Sequence, residues 1–214
     1  MCLWAILSDV HGRADRLRRA LTDAAKLGAD RFLSLGDLGS TTALDLLDAV
    51  DAECVFGNWE ASGWRGMDQP WRGQVARWPA VYRHSTFWAA HASPVWPDGL
   101  TIAGVVDYLR ARELHWTALF PSLQRSDEAR RAALSELAAT AAPIFFHGHT
   151  HVQEAWLRQP DATLVRVNGQ EFTLPTDGSR ALVGVGSVGM PQDGDGACYT
   201  LFEADARRVV WRRV

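Results

Sequence analysis

The chain has 214 residues, of which 47% are hydrophobic and 22% charged, with a formal net charge of -3 and a pI near 6.1. That length and balance suit one soluble globular domain with room for an insertion, residues 1–214 as a unit. The mild acidity gives no sign of a nucleic-acid footprint.

The opening MCLWAILSD holds an apolar stretch too short to span a membrane, without a basic flank or a cleavage site. Cys2, Cys54 and Cys198 are scattered and not in CxxC spacing. They read as small buried hydrophobes of a reducing compartment, so a cytoplasmic protein without membrane contact is expected.

The first half alternates. LWAILSD is a short apolar run that reads as a buried strand. RADRLRRALTDAAKLGAD follows with helical spacing, placing Leu17, Leu21, Ala24 and Ala25 on one face, and Gly28 is a helix stop. RFLSLGD is a second strand, TTALDLLDAV a short helix capped by Ser40 or Thr41, and AECVFGN a third strand. This order implies parallel strands joined by crossovers. WRGMDQPWRGQVARWP reads as loop plus a short helix, and STFWAAHAS as another strand. From about 94 to 142 two helical patterns, LTIAGVVDYLRARELHW and SDEARRAALSELAATAA, form a segment that can cover the mouth of a site. PIFFHGHTH is a fifth apolar run. From Val152 onward the period changes to two, broken by turn residues such as VNGQ and TDGS, which reads as antiparallel strands. The sum is an α/β fold of two packed mixed sheets with helices outside.

Each of the five apolar runs ends in polar residues able to hold a metal: Asp9 and His11, then Asp37, Asn58, His91, and finally His149 and His151. In open α/β sheets ligands gather at the carboxyl ends of strands. Two carboxylates and four imidazoles meeting there would be costly to desolvate without partners. Seven N and O donors with no Cys suit a pair of divalent cations of intermediate hardness, Mn, Fe, Zn, Co or Ni, with Mn favoured. In Asp-X-His and His-X-His, alternation along an extended segment would bring both side chains to one face.

The ordered set D-x-H, G-D, G-N, H, G-H-x-H resembles the calcineurin-like metallophosphoesterase superfamily over nearly the whole chain. The late stretch VGVGSVGMPQDGDGACYTLF is similar to the ending of its small phosphodiesterase-like bacterial branch. The resemblance implies two packed sheets flanked by helices with a dimetal centre at one edge. Asp9, His11 and His151 would bind one metal, Asn58, His91 and His149 the other, and Asp37 would bridge them. It also implies hydrolysis of a small-molecule phosphate ester by a metal-bound hydroxide, with Asp37, Asn58 and His91 as catalytic residues, and a possible homo-oligomer.

One departure matters. Many members of that superfamily follow the Asn with His, which can protonate the leaving alkoxide; this chain has Trp59. An indole N–H has no useful acidity. General-acid help of roughly 10²–10⁴-fold is then missing, which favours phosphodiesters over simple monoesters, with Trp59 stacking on an aryl group or base. The alternatives are a phosphomonoesterase that uses another acid, and a protein-binding module on the same fold. Glu60 reads as a helix cap or as a partner for a ligand histidine, and His147, His84 and His115 as structural or surface residues.

Overall fold

The computed structural model describes residues 2–214 and places them in two six-stranded mixed sheets with helices on the outer faces. β1 (Leu3–Leu7), β2 (Arg31–Ser34) and β3 (Glu53–Cys54) are parallel, with α1 (Ala14–Lys26) and α2 (Thr41–Asp48) between them. α3 (Asn58–Gly63), α4 (Trp71–Val75), β4 (Val81–Arg83) and β5 (Trp88–Ala90) follow. Then come α5 (Val105–Ala111), α6 (Asp127–Ala138) and β6 (Ile144–His147). The rest is strand: β7 (Gln153–Arg158), β8 (Leu164–Val167), β9 (Glu171–Thr173), β10 (Arg180–Val185), β11 (Cys198–Glu203) and β12 (Arg208–Arg213).

One sheet runs β3-β2-β1-β11-β12-β9 and the other β4-β5-β6-β10-β7-β8. β11 returns antiparallel to β1, in register Ala5 to Leu201, while β5, β6 and β10 are mutually parallel. Alternation decides the packing. Trp4 and Ile6 of β1, with Phe146 of β6, Val183 of β10 and Phe202 of β11, fill the space between the sheets. Their chain neighbours Ala5 and Leu7 face α1 and α2, and Phe145 and Leu182 face α6. A strand covered on both faces is apolar nearly throughout, which is why β1 and β6 read as apolar runs. α1 buries Leu17, Ala20, Leu21 and Ala24, and the Ser40 side chain accepts from the Ala43 N–H to start α2.

Several boundaries differ from expectation. The third run pairs only at Glu53–Cys54, because Val55 and Phe56 continue as a loop towards the sheet edge. Most of LTIAGVVDYLRARELHW is not α-helix: α5 covers seven residues, with 3₁₀ turns at Ile102–Gly104 and Trp116–Ala118 on either side. β4 has no counterpart in the sequence reading. The three cysteines are free thiols; Cys198 is buried and the other two are half-buried. Among the described residues no helix is long and apolar enough to cross a membrane.

Candidate metal centre

The seven donors come to one edge of the sandwich, but not by strand alternation. β1 ends at Leu7 and β6 at His147, so Asp9, His11, His149 and His151 lie in the loops beyond. These four and Asp37 all have left-handed backbone, with φ of 56°, 48°, 61°, 58° and 57°. L residues hold that conformation at a cost of about 1–3 kcal/mol each, and it persists only where the surroundings fix it. The expectation that period-two alternation aligns each Asp-X-His or His-X-His pair is therefore corrected: kinked loops align them.

Backbone hydrogen bonds do the fixing. The loop after β1 zips onto the loop after β2, with Asp9, His11 and Gly12 N–H groups donating to the carbonyls of Gly36, Asp37 and Leu38 at 2.8–3.0 Å. The GSVG stretch straps it from the other side. Val188 and Gly189 N–H donate to Ser8 and Asp9 carbonyls at 2.9 Å, and Ser187 Oγ donates to the Asp9 carbonyl at 2.8 Å. Glycine is required where these loops touch: a Cβ on Gly57 would overlap Asp37 Oδ1, and one on Gly148 would overlap Ser8 Oγ.

Each carboxylate has one oxygen tied down. Asp9 Oδ2 accepts from His149 N–H at 2.9 Å, and Asp37 Oδ1 from Trp59 N–H at 2.8 Å. The other oxygens face the imidazoles. Asp9 Oδ1 lies 3.1 Å from His151 Nε2, 3.6 Å from His11 Nε2 and 3.9 Å from His91 Nε2. Asp37 Oδ2 lies 3.5 Å from His91 Nε2, and His91 Nε2 lies 3.0 Å from Asn58 Oδ1. Two histidines are oriented from behind: the Nδ1 atoms of His91 and His151 meet the carbonyls of Leu35 and Met190 at 2.8 and 2.9 Å. That leaves each Nε2 pointing at the cluster with a lone pair.

The electrostatics of the bare cluster are those of a binding site. Burial pushes the Asp37 carboxyl up to about 6, with the charges of Asp9 and Glu60 adding to it against the pull of His91. Burial acts the same way on Asp9, but His91, His11 and His151 outweigh it and hold its carboxyl well below the usual range. Burial opposes charge on His91 and His151, yet the adjacent carboxylates raise both. Burial lowers His149 to about 4, and the nearby charge of His91 adds to the effect.

A metal fits these residues. Asp9 Oδ1 and His11 Nδ1 are buried without a hydrogen-bond partner, and the Nε2 atoms of His11 and His151 face each other at 3.1 Å. Facing lone pairs with a buried carboxylate between them suit a cation. Two overlapping donor groups result, Asp9–His11–His151 and Asp9–Asp37–His91. Asp9 is common to both, whereas the resemblance gives the bridge to Asp37.

Around this cluster Glu60 is the residue whose role the sequence did not settle. It is buried at the start of α3, where its Oε2 accepts from the N–H groups of Asp37 and Gly57 and its Oε1 from Leu38, each at 2.8 Å. It caps the helix and also locks the Asp37 loop; the glutamate three residues after Gly57 is the visible signal. Trp59 is 47% exposed, and its ring meets His11 edge-to-face with centroids 4.4 Å apart. His147 is buried, bonded at Nδ1 to the Gly148 carbonyl and lowered by burial to about 4, which makes it structural. His84 closes a turn through Thr86 and packs on Trp4 and Phe87.

Comparison with known proteins agrees. The sequence model of the calcineurin-like phosphoesterase superfamily domain matches residues 3–207. A metallophosphoesterase from Sphaerobacter thermophilus superposes with a TM-score of 0.67 at 24% identity, covering 99% of this chain and 88% of that one. A hypothetical protein from Pyrococcus horikoshii gives 0.64 at 12% identity, covering 100% and 88%. An archaeal phosphodiesterase gives 0.54 at 10% identity, covering 99% of each chain. The chain matches none of the curated proteins with which it was compared. The sandwich and the match along almost its entire length place this chain in the calcineurin-like metallophosphoesterase superfamily.

Proposed function

We propose that the chain hydrolyses phosphate esters at a pair of divalent cations, Mn favoured, with phosphodiesters preferred over monoesters. The observation that carries this reading is the pair of donor groups sharing a buried, unpartnered carboxylate oxygen. A divalent pair held there supplies Lewis-acid polarisation of a phosphoryl group and lowers the pKa of bound water towards about 7.

The chain's own residues do the rest. Asp9, His11 and His151 would hold one cation and Asn58, His91 and His149 the second, with Asp37 shared between them. The free Oδ1 of Asp9, within 3.9 Å of three histidines, makes Asp9 the competing bridge. Asn58 offers a neutral carbonyl oxygen, which leaves more positive charge on its cation than a carboxylate would. His91 and His151 are held in one tautomer by backbone carbonyls, so their Nε2 atoms need no reorganisation. The segment at 94–142 covers the mouth of the site, a placement supported by Trp116 and Phe120 sharing a cavity wall with Asn58 and His149.

The diester preference rests on Trp59, which puts an indole edge beside His11 in place of an acid. A Trp59→His variant, whose imidazole supplies a proton to the leaving oxygen, is expected to raise monoester turnover about 10²-fold relative to diester turnover. The assay sets an aryl diester beside its monoester, with and without chelator, across Mn, Fe, Zn, Co and Ni. An unchanged ratio removes the leaving-group argument. A protein that purifies with far fewer than two cations and hydrolyses neither ester is a binding module instead.

A further inference from the structure

Two cavities share Trp59 as a wall. One, of about 270 Å³, has the side chains of Leu38, Leu44, Met67, Trp71 and Val75 in its wall. The other, of about 360 Å³, runs from Asn58 and His149 to His115, Trp116 and Phe120. Trp59 belongs to both walls. The first cavity is linked to the cluster through its wall, where Trp59 leans on His11 and Glu60 accepts from the Asp37 N–H. Its acidic members are Asp68 and Glu60, and no Lys or Arg lines either cavity.

The arginines nearby are engaged elsewhere. Arg65 and Arg110 pair with Asp107 at 2.8 and 3.5 Å. Arg72 lies over Trp64, and Arg112 over Tyr108. A second phosphate in either cavity would meet no Lys or Arg in the wall, and beside Asp68 it would meet repulsion.

We propose that Trp59 partitions two subsites for the organic arms of a phosphodiester, and that the cavity beside Leu38 takes an uncharged, apolar or aromatic arm. This rests on the phosphoesterase reading above and narrows it. The substrate class is a diester with two bulky neutral arms, rather than a nucleoside polyphosphate. The arm in the Leu38 cavity is the one retained on phosphorus, and the leaving arm occupies the side of Asn58, His149 and the aromatic pair Trp116 and Phe120.

The test fills the cavity. Met67→Trp enlarges a half-buried wall residue, and Gly66→Leu adds a side chain where a Cβ meets nothing within 4 Å. The substrates are bis(p-nitrophenyl) phosphate and methyl p-nitrophenyl phosphate, which share a leaving group and differ in the retained arm. Each variant is expected to lower kcat/KM for the bulky diester about 10-fold more than for the methyl diester. Calorimetry with dibenzylphosphinate and dimethylphosphinate, which cannot be hydrolysed, gives a readout independent of turnover. Only the dibenzyl compound should weaken, again by about 10-fold. Equal losses for both members of each pair overturn the subsite. So does a dinucleoside polyphosphate turned over with a higher kcat/KM than the aryl diester. A wild-type protein that hydrolyses none of these with any cation overturns the phosphoesterase reading itself, and the phosphinate titration still reports on the cavity.

Discussion

An Asp37→Ala variant will bind about one cation per chain instead of two and will lose about 10³-fold in phosphodiester turnover. That loss corresponds to several kcal/mol of charge stabilisation at the transferring phosphoryl group. Asp37 is buried, one oxygen is pinned by the Trp59 N–H, and the other lies 3.5 Å from His91 Nε2. Metal analysis by plasma mass spectrometry beside kcat/KM checks the result. Two cations and full activity in the variant would shift the bridge to Asp9, whose free Oδ1 already touches both donor groups. An Asp37→Asn variant separates binding from folding. Because burial raises the Asp37 carboxyl to about 6, the metal-free fold resists its ionised form. The Asp37 contribution to metal-free stability is therefore lost as pH rises from the ordinary carboxylate range through about 6. The Asn variant, stripped of metal, should melt no lower than wild type above that pH.

Glu60→Ala is expected to cost about 3 kcal/mol of stability, because three backbone N–H groups lose their acceptor at once and each is worth about 1 kcal/mol or more. It should also weaken cation binding about 10–100-fold, since the loop that aims Asp37 is released. Thermal or denaturant unfolding measures the first effect, and titration of the apo protein with Mn measures the second. Glu60→Gln discriminates the cause. Its carbonyl oxygen can serve the N–H groups of Asp37 and Gly57, but its amide NH₂ then opposes the N–H of Leu38. Gln should recover most of the stability lost in Ala. If Gln and Ala behaved alike and neither altered cation affinity, Glu60 would be a helix cap and nothing more.

How much of this was legible in the sequence depends on what each residue's neighbours are. β1, β2 and β6 were visible as short apolar runs because most of their positions are buried on both faces, whereas β10 and β11 were visible through alternation and the turns that bound them. β3 and β4 pair over only two and three residues, too few to set a period. The middle of the chain was read as more helical than it is. Its apolar residues Ile102, Val105, Leu109 and Leu119 pack inward from 3₁₀ turns and one short helix, which share much of the helical spacing.

The seven side chains that follow the apolar runs lie together at one edge, and five of them, Asp9, His11, Asp37, His91 and His151, fall in the two donor groups. The means of gathering them was not legible in the sequence. The left-handed backbone at Asp9, His11, Asp37, His149 and His151 is imposed by hydrogen bonds between loops far apart in the chain. Gly57 and Gly148 stand beside donors in the chain, but which groups press on them, Asp37 Oδ1 and Ser8 Oγ, is set by the fold. Likewise the GSVG stretch was recognisable as a motif, while its work as a strap across the Asp9 loop depends on hydrogen bonds to residues about 180 positions away. Glu60 shows the limit most plainly: its spacing from Gly57 announced a cap, but its bonds to Asp37 and Leu38 cross from one strand's loop to another's.

The most direct test is a crystal of the protein grown with Mn and recorded at wavelengths where Mn scatters anomalously. Two anomalous peaks about 3.5–4 Å apart are expected. One should sit within coordination distance of Asp9, His11 and His151, the other of Asn58, His91 and His149, with a carboxylate oxygen between them. A single peak, or a pair of peaks away from these seven side chains, would contradict the account.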